Sequence, residues 1–178
     1  MKERIILNDR EINKTLERMT FEILEHITDT TNMALVGIQR RGVDLASRIQ
    51  NIVEMRTQQK VRLGKLDINL YRDDWTNLAS APIINNTEIS FSITGKDLIL
   101  IDDVLFTGRT VRSALEALLD FGRPRSIKLL VLIDRGHREL PIHADFTGKK
   151  VNTSLSEKVD VLLTERDGKD EVQLTENE

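Results

Sequence analysis

Three uninterrupted apolar runs, MALVGI (33–38), LILI (98–101) and LLVLI (129–133), limit how this chain can fold. A strand with one face in water alternates apolar and polar side chains. A strand apolar at every position is buried on both faces, as the inner strands of a helix-covered parallel sheet are. Helical periods separate the runs. Ile12, Leu16, Met19, Ile23 and Ile27 recur every three or four residues behind the cap-forming Asn8 and Asp9. A second helix from about Val43 sets Ala46, Ile49 and Val53 on one face. A third carries Val111, Leu115, Leu118 and Leu119 and stops at FGRP. Strands alternating with helices predict an α/β fold, a central and mainly parallel sheet flanked by helices.

Around this frame, RIIL (4–7) reads as a short strand and VRLGKLDINLY (61–71) as a longer one, since most of it alternates. Residues 72–88 are polar, Asn-rich and without a period, which predicts a mobile loop or an irregular excursion. The last third, with LPIHADFTGKKV and KVDVLL, lacks helical spacing and is expected to lie extended beside the sheet. The tail ERDGKDEVQLTENE is polar and its end is expected to be loose. One domain accommodates all 178 residues.

Composition removes several function classes. The chain has no cysteine, hence no disulfide framework, thiolate nucleophile or cysteine zinc site. A net charge of −3 argues against a strongly basic nucleic-acid binder and leaves room for a local basic face. MKERIILNDR lacks the apolar segment of a signal peptide, and no apolar run approaches the roughly 20 residues of a membrane helix. The expectation is a soluble cytoplasmic protein.

The chemistry concentrates in LILIDDVLFTGRT (98–110). Ligands of open α/β sheets bind beyond the carboxyl ends of the strands, where Asp102 and Asp103 are expected. Thr107-Gly108-Arg109-Thr110 then leads into a helix whose first N–H groups and positive dipole end favour a phosphate. Two carboxylates repel a phosphate but accept hydrogen bonds from a vicinal diol, or lie near a metal that chelates one. Acids and a phosphate cradle a few residues apart suit a ribose 5-phosphate. Alone, the aspartate pair would read as solvated strand-end residues; the order strand, DD, apolar spacer, TGRT, helix argues otherwise. Neither G-x-x-x-x-G-K-[ST] nor G-x-G-x-x-G is present.

LILIDDVLFTGRT resembles the phosphoribosyl diphosphate (PRPP) signature of type I phosphoribosyltransferases. LVGIQRRG, DINLYRDD, the run from VLFTGRT to RGHRELPI, and ADFTGKKVNTSLSEKV are similar in order and spacing to the pyrimidine-operon attenuators of that family. Those proteins couple RNA-binding regulation to uracil phosphoribosyltransferase activity, and the resemblance spans nearly the whole chain. It implies a type I phosphoribosyltransferase fold. The single domain would carry a flexible loop at about 72–88, a small hood of extended segments from about 137–165 plus the N-terminal strand, and a polar C-terminal tail. It implies the reaction of uracil with PRPP to give UMP and diphosphate, with Mg²⁺ held through PRPP and water rather than by the protein.

The resemblance also implies residue roles. Asp102 and Asp103 contact the ribose hydroxyls. Val104, Leu105, Phe106, Thr107, Gly108, Arg109 and Thr110 form the 5-phosphate loop. Arg40 and Arg41, otherwise readable as an exposed basic turn, occupy the diphosphate loop, where such enzymes often carry a non-proline cis peptide. Tyr71, Arg72, Asp73 and Asp74 begin the segment that closes over the reacting centre. Arg72 is the functional choice there, and the two aspartates read equally well as an Asx turn. Arg135 lies on the base side, and the backbone around Val159 hydrogen-bonds the uracil edge, although plain core packing also explains Val159. His137 reads as structural or surface. A homodimer or higher homo-oligomer is implied, with pyrimidine-operon leader mRNA as a further partner. Attenuators of the family carry Thr-Arg and then His three residues on along the first helix; here Arg18 matches, but Glu17 and Phe21 stand in the Thr and His places. A carboxylate on a phosphate-binding face is unfavourable. The remaining basic cluster is Arg135, His137 and Arg138, with Arg123 and Arg125 near it, and it reads alternatively as a solvated rim. Arg18 and Arg138 are the RNA candidates.

Overall fold

In the computed structural model, which describes residues 3–71 and 87–176, the three apolar runs lie side by side. They are β2 (Met33–Ile38), β4 (Asp97–Leu105) and β5 (Ser126–Asp134); β3 (Arg62–Leu66) and β6 (Phe146–Lys150) form the edges. The five strands are all parallel, in the order β3-β2-β4-β5-β6. All of β2 and the first six residues of β4 are buried. Successive residues feed opposite cores. Ile99 and Ile101 join Leu35, Leu130 and Leu132 beneath α1 (Asp9–His26) and α2 (Arg41–Thr57). Leu98 and Leu100 join Val36 and Val131 beneath α3 (Arg109–Leu119). Helix α1 starts in a capping box: the Asn8 side chain accepts from Glu11 N at 3.0 Å, and the Glu11 carboxylate accepts from Asn8 N at 2.9 Å.

A second sheet is antiparallel and three-stranded. β1 (Glu3–Asn8), β7 (Glu157–Leu162) and β8 (Glu171–Glu176) run in the order β1-β8-β7, and the short helix α4 (Thr164–Asp167) links the last two.

Three sequence expectations are corrected or refined. The strand expected over 61–71 ends at Leu66, because β2, the parallel strand it pairs with, ends at Ile38. The Asp67 carboxylate then accepts from Asn69 N at 2.9 Å and turns the chain into a 3-10 turn. The polar tail is not without structure over 171–176: β8 is the middle strand of the second sheet, with Val172 and Leu174 buried on either side of half-buried Gln173, while the tail's end at 177–178 lies outside the described residues. Last, the extended hood segments divide between the sheets, since 146–150 pairs with β5 while β1, β7 and β8 form the hood sheet. Arg72, Asp73, Asp74 and residues 72–86 of the expected loop lie outside the described residues. Among the described residues no helix is long and apolar enough to cross a membrane.

Candidate active site

The carboxyl ends of β2, β4 and β5 converge on one edge of the parallel sheet. β4 carries Asp102 and Asp103 near the end of its pairing and continues to Leu105: Val104 and Leu105 pair with Ile133 and Asp134. The segment Val104–Thr110, expected to form the phosphate loop, is part strand and part loop. The first two of those residues are strand, and the free loop begins at Phe106. Gly108 has φ +91°, a left-handed conformation that glycine adopts without penalty, and caps α3.

The polarity of this loop is the distinctive feature. Its carbonyls are all engaged behind it. Leu105 O accepts from Arg135 N at 3.1 Å, Thr107 O from Glu139 N at 2.9 Å and Gly108 O from Arg112 N at 2.9 Å. Phe106 O accepts from the Arg138 guanidinium at 2.7 Å. The N–H groups of Phe106, Thr107, Gly108 and Thr110, in contrast, have no partner among the described residues. Carbonyls tied back, amides unpaired and a helix start make a cradle for an anion.

The carboxylates sit beside it. Asp102 is buried and Asp103 half-buried. Asp103 N donates to the Asp102 carboxylate and Val104 N to the Asp103 carboxylate, each at 2.9 Å. Burial, followed by the charge of Asp103, pushes the Asp102 carboxyl well above its ordinary pKa.

From β2, the chain passes through a cis peptide between Gln39 and Arg40. Gln39 N donates to Leu66 O at 2.9 Å, which seats the turn on the end of β3. Helix α2 starts at Arg41, two residues before the expected position. Gly42 approaches β4 so closely that a Cβ there would lie 2.4 Å from Ile101 O and 3.3 Å from Asp102 Cα. The turn with Arg40 and Arg41 is thereby held against the aspartate pair. Arg40 is exposed; Arg41 is half-buried and ion-paired to Asp167 at 3.0 Å.

The basic cluster expected at 135–138 faces inward. Arg135 is buried, stacks on the Phe106 ring at 4.1 Å and donates to Ser154 O at 3.0 Å and Glu157 O at 2.7 Å, joining the end of β5 to the start of β7. Burial draws its pKa down, against the charge of Glu157. His137 bonds Thr153 O at 2.7 Å and packs edge-on against Phe106, a structural role. Arg138 pairs with Asp134 at 2.6 Å, with side chains 17% and 14% exposed, and also donates to Ile142 O at 3.0 Å. It is thus not offered to an RNA phosphate; it braces the loop from behind, a role the sequence did not reveal. Arg138→Gln removes the ion pair and the brace together. It is expected to cost about 2–4 kcal/mol in denaturant melts and to lower affinity for inorganic phosphate. Arg123 and Arg125 are not near this cluster. They sit at the amino end of β4, where Arg125 pairs with Asp97 and the carbonyl of Arg123 accepts from Gly95 N. Val159 is a core residue of β7, paired with Leu174. Arg18 donates to Gly148 O at 2.5 Å and pairs with Glu22, so it is partly committed to the β6 edge. Just before the undescribed segment, the carbonyl of Tyr71 accepts from Ser113 Oγ at 3.0 Å, anchoring that chain end on α3.

A phosphoribosyl transferase domain model matches residues 4–164. Curated relatives match nearly end to end. Bifunctional protein PyrR of Pelotomaculum thermopropionicum is 52% identical over 171 residues, covering 96% of this chain and 94% of its own. That of Thermus thermophilus is 51% identical over 173 residues, covering 97% and 96%. The chain belongs to the PyrR family of phosphoribosyltransferases. Among solved structures, a hypoxanthine phosphoribosyltransferase from Staphylococcus aureus superposes with a TM-score of 0.72 at 20% identity, covering 98% of this chain and 92% of that one. One from Trypanosoma cruzi gives 0.72 at 14% identity, covering 98% and 97%. At such identities the likeness concerns the fold, and it places the chain on the type I phosphoribosyltransferase scaffold.

Proposed function

We propose that this chain transfers the 5-phosphoribosyl group of PRPP to uracil, giving UMP and diphosphate, and that UMP sets its affinity for pyrimidine-operon leader RNA. The observation that carries the enzymatic reading is that the N–H groups of Phe106, Thr107, Gly108 and Thr110, which have no partner among the described residues, lie just beyond the buried Asp102 and half-buried Asp103 on one strand end. The phosphate of PRPP seats on the amides of Phe106, Thr107, Gly108 and Thr110 and the hydroxyls of Thr107 and Thr110. Asp102 and Asp103 accept from the ribose hydroxyls. Arg40 and Arg41 face the diphosphate, with Arg72 joining them. The base lies between Arg135 and the backbone around Val159.

As uracil N1 bonds to C1 of the ribose, the C1–O bond breaks and its electron pair leaves on the diphosphate; the N1 proton passes to water or to a diphosphate oxygen. Positive charge grows on the ribose, beside the Asp102–Asp103 pair, and negative charge grows on the diphosphate, beside the 40–41 turn. Mg²⁺ would arrive with PRPP, held by the oxygens of PRPP and by water rather than by protein side chains. Bound there, Mg²⁺ supplies positive charge to the leaving group. The test is product formation from PRPP, Mg²⁺ and uracil, hypoxanthine or orotate in parallel. Uracil-specific turnover is expected. Turnover with hypoxanthine would overturn the base assignment, and UMP binding without turnover would leave a regulator alone.

One observation favours the regulatory reading. A groove of about 530 Å³ between the edge of the hood sheet and the edge of the main sheet is lined by Arg4, Ile5, Ile6, Lys149, Lys150, Val151 and Asn152. Arg4, Lys149 and Lys150 are exposed, and Arg18 adjoins the same strand. Cations beside apolar surface suit the phosphates and bases of unpaired RNA. Replacing Arg4 and Lys150 by Ala is expected to weaken leader-RNA binding about tenfold. It should also flatten the slope of log K against log salt by about 0.7 per lost phosphate contact, leaving UMP formation unchanged. The protein is further proposed to act in the cytoplasm as a homo-oligomer, which light scattering measures.

A further inference from the structure

Helix α2 presents Arg41, Asp44 and Arg48 on one face, at spacings of three and four. The hood turn around α4 meets them with opposite charges in register. Arg41 pairs with Asp167 at 3.0 and 3.2 Å, Asp44 with Arg166, and Arg48 with both Glu165 at 2.6 Å and Asp170 at 2.5 Å. Arg48 and Asp170 are tied by two hydrogen bonds, which raise the first pKa and depress the second. This end of the ladder is a fixed joint, and Thr164 N and Oγ1 both donate to Asp170 at 2.7 Å.

The Arg41 end is different. Its guanidinium gives only Nη2 to Asp167, and its Nε is buried with no hydrogen-bond partner among the described residues. Asp167 has a second attachment, accepting from Leu163 N at 2.9 Å, so it keeps its place without Arg41. The pair is also only partly withdrawn from water, with side chains 34% and 22% exposed. An arginine with one nitrogen on a carboxylate, another buried and unpaired, and a carboxylate partner anchored elsewhere is built to exchange acceptors.

We propose that Asp167 is a positioning residue that competes with diphosphate for Arg41. This rests on the reading of the 40–41 turn as the diphosphate site. In the free protein Asp167 holds the guanidinium at the turn. Diphosphate, more highly charged, takes it over. As product leaves, Asp167 recaptures the side chain, which lowers the affinity for diphosphate and speeds its release.

Asp167→Asn removes the competing charge and keeps an oxygen for Leu163 N. Titration of magnesium diphosphate into the variant is expected to show binding on the order of fivefold tighter than in the parent, the size of one partly exposed ion pair. The KM for PRPP and kcat should fall together, because product release slows. In an Arg41→Gln background the same substitution should leave diphosphate affinity unchanged. Equal gains in both backgrounds would mean a general charge effect and would overturn the exchange, as would unchanged or weaker binding in Asp167→Asn. A parent protein that binds no diphosphate would overturn the site reading itself, whereas a parent that binds and turns over with Asp167→Asn silent would overturn the exchange alone.

Discussion

Asp103→Asn is expected to lower kcat/KM for UMP formation by about 10²–10³-fold, and Asp102→Asn to do the same while melting higher than the parent at neutral pH. The two carboxyls are consecutive on a strand whose preceding residues are entirely buried, and the neighbour of each is an acid. An asparagine at either position preserves shape and an acceptor oxygen. In the parent the Asp102 carboxylate accepts from Asp103 N and the Asp103 carboxylate from Val104 N, both at 2.9 Å, and an amide oxygen can take over either bond. What disappears is charge, which the proposed reaction needs beside the electron-poor ribose.

The stability effect has a defined sign. Burial first, and then the charge of Asp103, raise the folded pKa of Asp102 above its unfolded value. Such a group contributes its full stability below the unfolded pKa of about 3.9 and loses it as pH rises through the folded value. Asp102→Asn does not titrate, so the two proteins should melt alike near pH 3. The variant should gain from about pH 4 upward, at about 2–4 °C per kcal/mol in a chain of this size. Calorimetry across that range, with PRPP absent, measures the gain. A variant that melts lower than the parent at pH 7 would show that the pair is held for the fold. The expected result places it among the sites where a protein gives up stability for chemistry.

Much of this was legible because burial on both faces leaves a plain mark. The strands at 33–38 and 126–134 and the helix capped by Asn8 follow from apolar continuity and spacing alone. What escaped depends on partners distant in sequence. Nothing within 61–71 tells that β2 ends at Ile38, so that its parallel pairing with β3 stops at Leu66. β8 hides in a polar tail because only Val172 and Leu174 turn inward, and its two neighbours come from opposite ends of the chain. The aspartates and the glycine turn announced a ligand site through residue type. Arg138 did not announce itself as a brace, since a guanidinium that donates to carbonyls of its own chain and one that meets a solvent phosphate look alike in sequence. The ladder of Arg41, Asp44 and Arg48 likewise reads as an ordinary solvated helix face until α4 is seen opposite it.

Gly42→Ala should separate activity from stability in the opposite sense. Helix α2 reaches the sheet through two glycines. A Cβ on Gly37 would lie 2.5 Å from Val43 Cα, and one on Gly42 would lie 2.4 Å from Ile101 O. Every atom met is backbone, so no rotamer change relieves the contact, and the helix start must move outward from β4. Overpacking of this kind costs about 1–3 kcal/mol, but Ala in place of a helical Gly returns about 1 kcal/mol, so the net loss of stability is expected to be small, about 0–2 kcal/mol. The displacement falls on the turn with Arg40 and Arg41, which Gly42 holds beside Asp102. A shift of about 1 Å in a group that positions substrate costs on the order of 100-fold in rate. kcat/KM for PRPP should therefore fall about 100-fold in a protein that still melts cooperatively, with affinity for inorganic phosphate at the 106–110 loop nearly unchanged. Loss of phosphate binding together with turnover would mean that the displacement spreads along β4. Retained turnover would mean that the 40–41 turn tolerates displacement, and that the close approach of α2 serves packing alone.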